Sequence, residues 1–157
     1  MEDSSTRIAM ASDHAGYRSK ERIKADLEEW GYTVRDFGTS SEDPVDYPPY
    51  IRAATLAVTR GECDAGIVLG GSGNGEAMAA NKVRGARCAV CWNTESARLA
   101  KEHNNANLIA LGQRLLDPDL VPDIVRAWLD ARFQQGRHQR RIEQLEEATS
   151  PEQPPFP

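Results

Sequence analysis

Short apolar, β-branched runs alternate along the chain with longer stretches whose apolar residues recur every three or four positions. That alternation is the mark of repeated βα units around a parallel sheet. It predicts five strands, over residues 8–12, 32–37, 65–69, 86–92 and 107–111. Helices are predicted over 17–30, 49–60, 75–82, 95–102 and 118–133, with a last one over 137–148. Gly31 is placed to close the first helix, and Asp117-Pro118 reads as a cap followed by proline at the first helical position of the fifth. The expected fold is α/β: a three-layer α/β/α arrangement around a five-stranded parallel, doubly wound (Rossmann-like) sheet. Residues 1–149 read as one domain and the proline-rich 150–157 as an extended tail.

Composition narrows the function classes. The 157 residues are 39% hydrophobic and 27% charged, with a net charge of -5, which fits a soluble globular domain and argues against nucleic acid as a partner. No apolar run approaches the ~20 residues that cross a bilayer, so no membrane association is expected. The start MEDSSTR has neither the basic flank nor the apolar stretch of a signal peptide, and the expected location is cytoplasmic. Cys63, Cys88 and Cys91 are odd in number, against a disulfide framework. Cys88 and Cys91 form a CxxC inside an apolar run; it reads as part of a buried strand, a metal or redox pair being the alternative.

In open α/β sheets ligands bind beyond the carboxyl ends of the strands. The segments assigned to such positions are 12–16 (SDHAG), 70–75 (GGSGNG), the stretch around 103–105 (HNN), and 112–114 (GQR). The glycines of GGSGNG allow positive φ and close backbone approach, so that successive N–H groups form a nest for an anion beside a helix start. Two nucleotide motifs fail on spacing. Gly70 and Gly75 are separated as in a P-loop, but Glu76-Ala77 stand where Lys-Ser or Lys-Thr is required, and Gly71, Gly73 and Glu76 break GxGxxG.

A carboxylate repels polyphosphate, but beside a carbonyl it can act as general base on the α-carbon, with the nest stabilising the enediolate oxygen. The alternative for Glu76 is a carboxylate that stabilises the first turn of a helix. Asp13, His14 and His103, together with Arg114, Arg137 and Arg141, favour the chemical reading. Arg137 and Arg141 share one helix face and suit a phosphate. In RHQRRIEQLEEA the basic residues come first, against the helix dipole; either the helix is solvated or an anion compensates.

These motifs resemble the type B ribose-5-phosphate isomerases: SDHAG at 12–16, DYP at 46–48, GGSGNGE at 70–76 with AANK at 79–82, EHNN at 102–105 and RHQRR at 137–141. The resemblance implies a homodimer with active sites shared between subunits, and interconversion of ribose 5-phosphate and ribulose 5-phosphate, a pentose phosphate pathway step, without metal or cofactor. It further implies ring opening by Asp13 and His103, proton transfer by Glu76, and proton placement by Ser72. The backbone of Gly71, Gly73, Asn74 and Gly75 would hold the oxyanion. His14, Arg114, Arg137 and Arg141 would bind phosphate, with Asn104 on sugar hydroxyls and Tyr47 lining the pocket. Some members of that family carry the base as a cysteine at the end of strand three, where this chain has Gly70, which excludes that branch. The wider family also acts on other phosphorylated sugars, and a non-catalytic sugar-phosphate-binding module remains a further alternative.

Overall fold

The computed structural model describes residues 5–147. Its order is β1 (Arg7–Ser12), α1 (Tyr17–Glu29), β2 (Thr33–Asp36), α2 (Tyr47–Thr59), β3 (Ala65–Gly70), α3 (Asn74–Asn81), β4 (Cys88–Val90), α4 (Thr94–Asn104), β5 (Leu108–Gly112), α5 (Val121–Asp130) and α6 (Arg137–Glu147). The five strands form one parallel sheet in the order β2-β1-β3-β5-β4, the doubly wound α/β arrangement expected. The end assigned to the last helix at residue 148, and the tail 150–157, fall outside the described residues.

The two-residue period of the strands sorts the core into two layers. Ile8, Met10, Ile67, Leu69, Ile109 and Leu111 pack on the α1, α4 and α5 side, with Ile23, Leu27 and Trp128. The intervening Ala9, Ala11, Val68 and Ala110 pack on the α2 and α3 side, with Ile51, Ala54 and Ala80. Ile109 is fully buried, and truncating a side chain so placed to alanine costs about 2–5 kcal/mol.

The largest departures from the expected boundaries fall in two elements. The fifth helix begins at Val121 rather than Pro118 and ends at Asp130 rather than Phe133. Asp117 does not cap it: its carboxylate accepts from the Asp119 N–H at 2.9 Å, and its carbonyl from Leu120. This turn delays the helix until Val121, where the buried stripe Val121, Ile124, Val125 and Trp128 starts. The fourth strand is three residues rather than seven, because it lies at the sheet edge and pairs with β5 alone.

Chain direction also corrects the placement of residues 103–105. From β1 the chain winds through α1 to β2 on one side, then crosses to β3 on the other, so the carboxyl ends of β1 and β3 flank the topological switch point. The 12–16, 70–75 and 112–114 segments all sit at that end of the sheet. His103 and Asn104 do not: they form the last turn of α4, which runs back to the amino end of β5.

Candidate active site

Glycines let three loops converge at the switch point. A β-carbon on Gly16 would lie 2.6 Å from the Leu69 carbonyl carbon, and one on Gly112 would lie 2.5 Å from the Ser72 oxygen. Only residues without side chains permit these approaches. Gly73 takes the left-handed conformation (φ 81°) at the N-cap of α3, turning the chain from β3 into the helix. The Gln113 and Arg114 N–H groups donate to the carbonyls of Gly70 and Gly71, at 2.8 and 3.0 Å, tying the third loop to the second.

The result is a cleft of about 480 Å³ lined by Asp13, His14, Tyr47, Ser72, Glu76 and Arg114, with Gly71 and Gly75 in its wall. Tyr47, the first residue of α2, rests its ring where a β-carbon on Gly75 would be, 2.6 Å away. The predicted start of α2 at residue 49 therefore lies two residues late, and the tyrosine belongs to the cleft. The Arg114 guanidinium lies over Gly71, its Nη1 3.3 Å from that glycine's β-carbon position. Leu115 also lines the cleft; its 72% exposure and lack of ionisable chemistry gave the sequence no signal for it.

Each polar group is held by its own neighbours. Asp13 is buried, and its Oδ1 accepts from the N–H groups of Ala15 (2.9 Å) and Gly16 (3.1 Å). His14 Nδ1 accepts from the Val45 N–H at 3.2 Å, which leaves the proton on Nε2. Ser72 Oγ accepts from the Asn74 N–H at 3.2 Å. The N–H groups of Ser72 and Gly75 are uncommitted among the described residues, which is what an oxyanion nest requires.

Glu76 is 3% exposed. Burial raises its pKa, the charge of Asp13 adds to the rise, and the N–H groups of Glu76 itself and Gly73 oppose it. Its carboxylate fills the space where a side chain on Gly70 would stand. Among the described residues no group of three or more His, Cys, Asp or Glu side chains could hold a metal ion. The three cysteines are free and buried; burial pushes Cys91 up to about 12 and Cys88 higher still, so these thiols are inert at neutral pH.

The structure does not bring His103, Asn104, Arg137 and Arg141 to this cleft. They form a second cluster, at the end of α4 and the start of α6. The His103 ring stacks on His138 with centroids 4.3 Å apart and planes at 12°. His138 is buried; burial lowers its pKa, and His103, Arg137 and Arg141 lower it further. Sequence reading assigned His138 no role, although its i, i+4 spacing from Ile142 puts it on the buried stripe of α6.

A doubly wound sheet with an oxyanion nest and a buried carboxylate at its switch point defines an α/β protein built for a small anionic substrate. The chain belongs to the ribose/galactose isomerase family, whose sequence model matches residues 8–145. It is 44% identical over 139 residues to ribose-5-phosphate isomerase B of Escherichia coli, covering 88% of this chain and 93% of that one. It superposes on ribose-5-phosphate isomerase B of Clostridium thermocellum with a TM-score of 0.90 and 48% identity, over 91% of this chain and 97% of the other. The Mycoplasma genitalium enzyme, solved with bound ribulose-5-phosphate, gives a TM-score of 0.88 at 36% identity, over 92% and 96%.

Proposed function

We propose that the chain is an aldose-ketose isomerase interconverting D-ribose 5-phosphate and D-ribulose 5-phosphate through an enediolate, as a cytoplasmic enzyme of the pentose phosphate pathway. The observation that carries this reading is the buried Glu76 carboxylate beside uncommitted backbone N–H groups. Family membership supports the same conclusion, as do the names of its relatives.

In the open-chain aldose, Glu76 takes the proton from C2. The electrons move onto the C1 carbonyl oxygen, and the nest formed by residues 71–75 stabilises the developing charge. Ser72 relays the hydroxyl proton between O2 and O1, and Glu76 returns its proton to C1. A carboxylate with a raised pKa is a stronger base for this step than an exposed one. Asp13 and His103 open the furanose ring, Asn104 holds sugar hydroxyls, and His14, Arg114, Arg137 and Arg141 hold the phosphate.

Those residues meet only if two copies of the chain combine, the cleft of one receiving the His103 and α6 cluster of its partner. In one chain the groups lie at opposite ends of the sheet, α4 alone accounting for about 16 Å at 1.5 Å per residue. The unpaired edge of β4, flanked by Met78 and Trp92 at 66% and 64% exposure, suits such a homodimer interface.

The test is turnover of ribose 5-phosphate by the purified protein beside hexose 6-phosphates and a tetrose phosphate. A higher kcat/KM for ribose 5-phosphate supports the assignment. A higher value for another sugar moves the substrate within the family, and binding without turnover of any of them would make the chain a sugar-phosphate-binding module.

A further inference from the structure

Helix α6 is pinned to the end of α4 at two points. At its start, Gln134 donates from its backbone N–H to the Glu102 carbonyl and from Nε2 to the Glu102 carboxylate, both at 3.0 Å. Towards its end, Arg87 pairs with Glu146 at 2.8 Å while donating to the carbonyls of Asn104 and Asn105, each at 3.1 Å. Between these anchors His138 lies flat against His103. The His138 Nε2 is buried and has no hydrogen-bond partner among the described residues. A histidine held this way contributes the plane of its ring rather than its nitrogens. Among the described residues no hydrogen bond fixes the His103 side chain, which leaves the stack to orient its ring.

We propose that His138 is a positioning residue for His103: the stacked ring of His138 sets the direction in which His103 presents its imidazole from the last turn of α4. The proposal rests on the reading of His103 as a ring-opening residue. It makes the RHQRR segment bifunctional, with Arg137 and Arg141 facing the phosphate and His138, on the buried side of the same helix, aiming the imidazole. A misaimed catalytic group commonly costs one to two powers of ten in rate.

The test uses the full chain and the variants His138→Ala and His138→Phe. The chain has only three histidines, so their ring protons are assignable by NMR without any substrate. Expected is an upfield ring-current shift of the His103 signals in the wild type, lost in His138→Ala and kept in His138→Phe. An unshifted His103 in the wild type, or one unaffected by His138→Ala, overturns the proposal. Activity supplies the second reading. Ribulose 5-phosphate is open-chain, so exchange of its C1 hydrogen with solvent deuterium needs no ring opening, whereas conversion of ribose 5-phosphate does.

His138→Ala is expected to slow ribose 5-phosphate conversion at least ~10-fold and C1 exchange less than about twofold, with His138→Phe restoring most of the loss. Equal loss of both reactions, or a His138→Phe as slow as His138→Ala, contradicts the proposal and points to the phosphate grip or to the buried nitrogen. If the wild type converts no ribose 5-phosphate, the isomerase reading fails, and the spectra still decide whether His138 orients His103.

Discussion

The Glu76 carboxylate occupies the volume that the side chain of Gly70 would take, so the last residue of β3 and the third residue of α3 share one place in the cleft. Related proteins that carry a cysteine at the end of strand three would present a thiol from that place. Here the strand supplies only backbone, and the helix supplies the carboxylate.

Gly70→Ala forces the carboxylate out of its seat, because the added methyl would overlap it. Turnover is expected to fall at least ~10-fold, the scale of loss from a displaced catalytic group. The exposed face of the cleft gives Glu76 somewhere to go, so the variant is expected to remain folded. Steady-state kinetics beside a thermal melt checks both parts, and wild-type turnover in a folded Gly70→Ala would remove the packing relationship from the mechanism.

Glu76 is also expected to cost stability. Burial makes it protonate at higher pH in the fold than in the unfolded chain. Between the ordinary carboxylate range and the raised value, folding therefore takes up a proton, and stability falls as pH rises through that window. Glu76→Gln, which stays neutral, is expected to melt at a higher temperature than the wild type at neutral pH. Below the ordinary carboxylate range the difference disappears. Melting curves across pH measure this directly; a Glu76→Gln that melts below the wild type at neutral pH would contradict it.

The opposite sign holds for Asp36. Burial raises its pKa, but the Lys20 ammonium at 2.6 Å, the Gly38 N–H and Lys24 outweigh burial and hold it below the usual range. Its contribution is present above the unfolded value and lost as pH falls through the folded one. The Lys20 side chain is fully buried, so Asp36→Asn leaves a buried cation short of its main partner. The expected loss is about 3–5 kcal/mol in urea unfolding at neutral pH, shrinking as pH falls and wild-type Asp36 itself protonates.

The proposed sharing of each site between two copies predicts complementation. Glu76→Gln and His103→Ala should each be nearly inactive alone. In a heterodimer of the two, one site carries both substitutions and the other neither. Unfolding and refolding an equimolar mixture should therefore restore about a quarter of wild-type activity, from random pairing in a symmetric dimer. A mixture as inactive as its components would place each whole site within one chain.

Much of this was legible in the residues. The strand and helix alternation yielded the sheet, and the glycine spacing around Ser72 located the nest, because those features depend on local chain geometry. The end of the sheet to which His103 belongs was not legible from its position in the sequence alone. It depends on α4 running back to the amino end of β5, and hence on element direction. Lys20 and His138 were missed for another reason: both sit on buried helix stripes, Lys20 with Ile23 and Leu27, His138 with Ile142. Their polar side chains hid a periodicity that apolar residues would have announced. Tyr47 entered the cleft because Gly75 has no β-carbon, a contact between residues 28 positions apart that no local pattern encodes.

The most direct test of Glu76 as the base is deuterium uptake from D2O into ribulose 5-phosphate at C1, followed by NMR for the wild type and Glu76→Gln. The wild type is expected to exchange readily and Glu76→Gln to exchange at least ~10²-fold more slowly, as loss of a general base requires. Exchange by a folded Glu76→Gln within a few-fold of the wild type would contradict the account and assign the proton to another group.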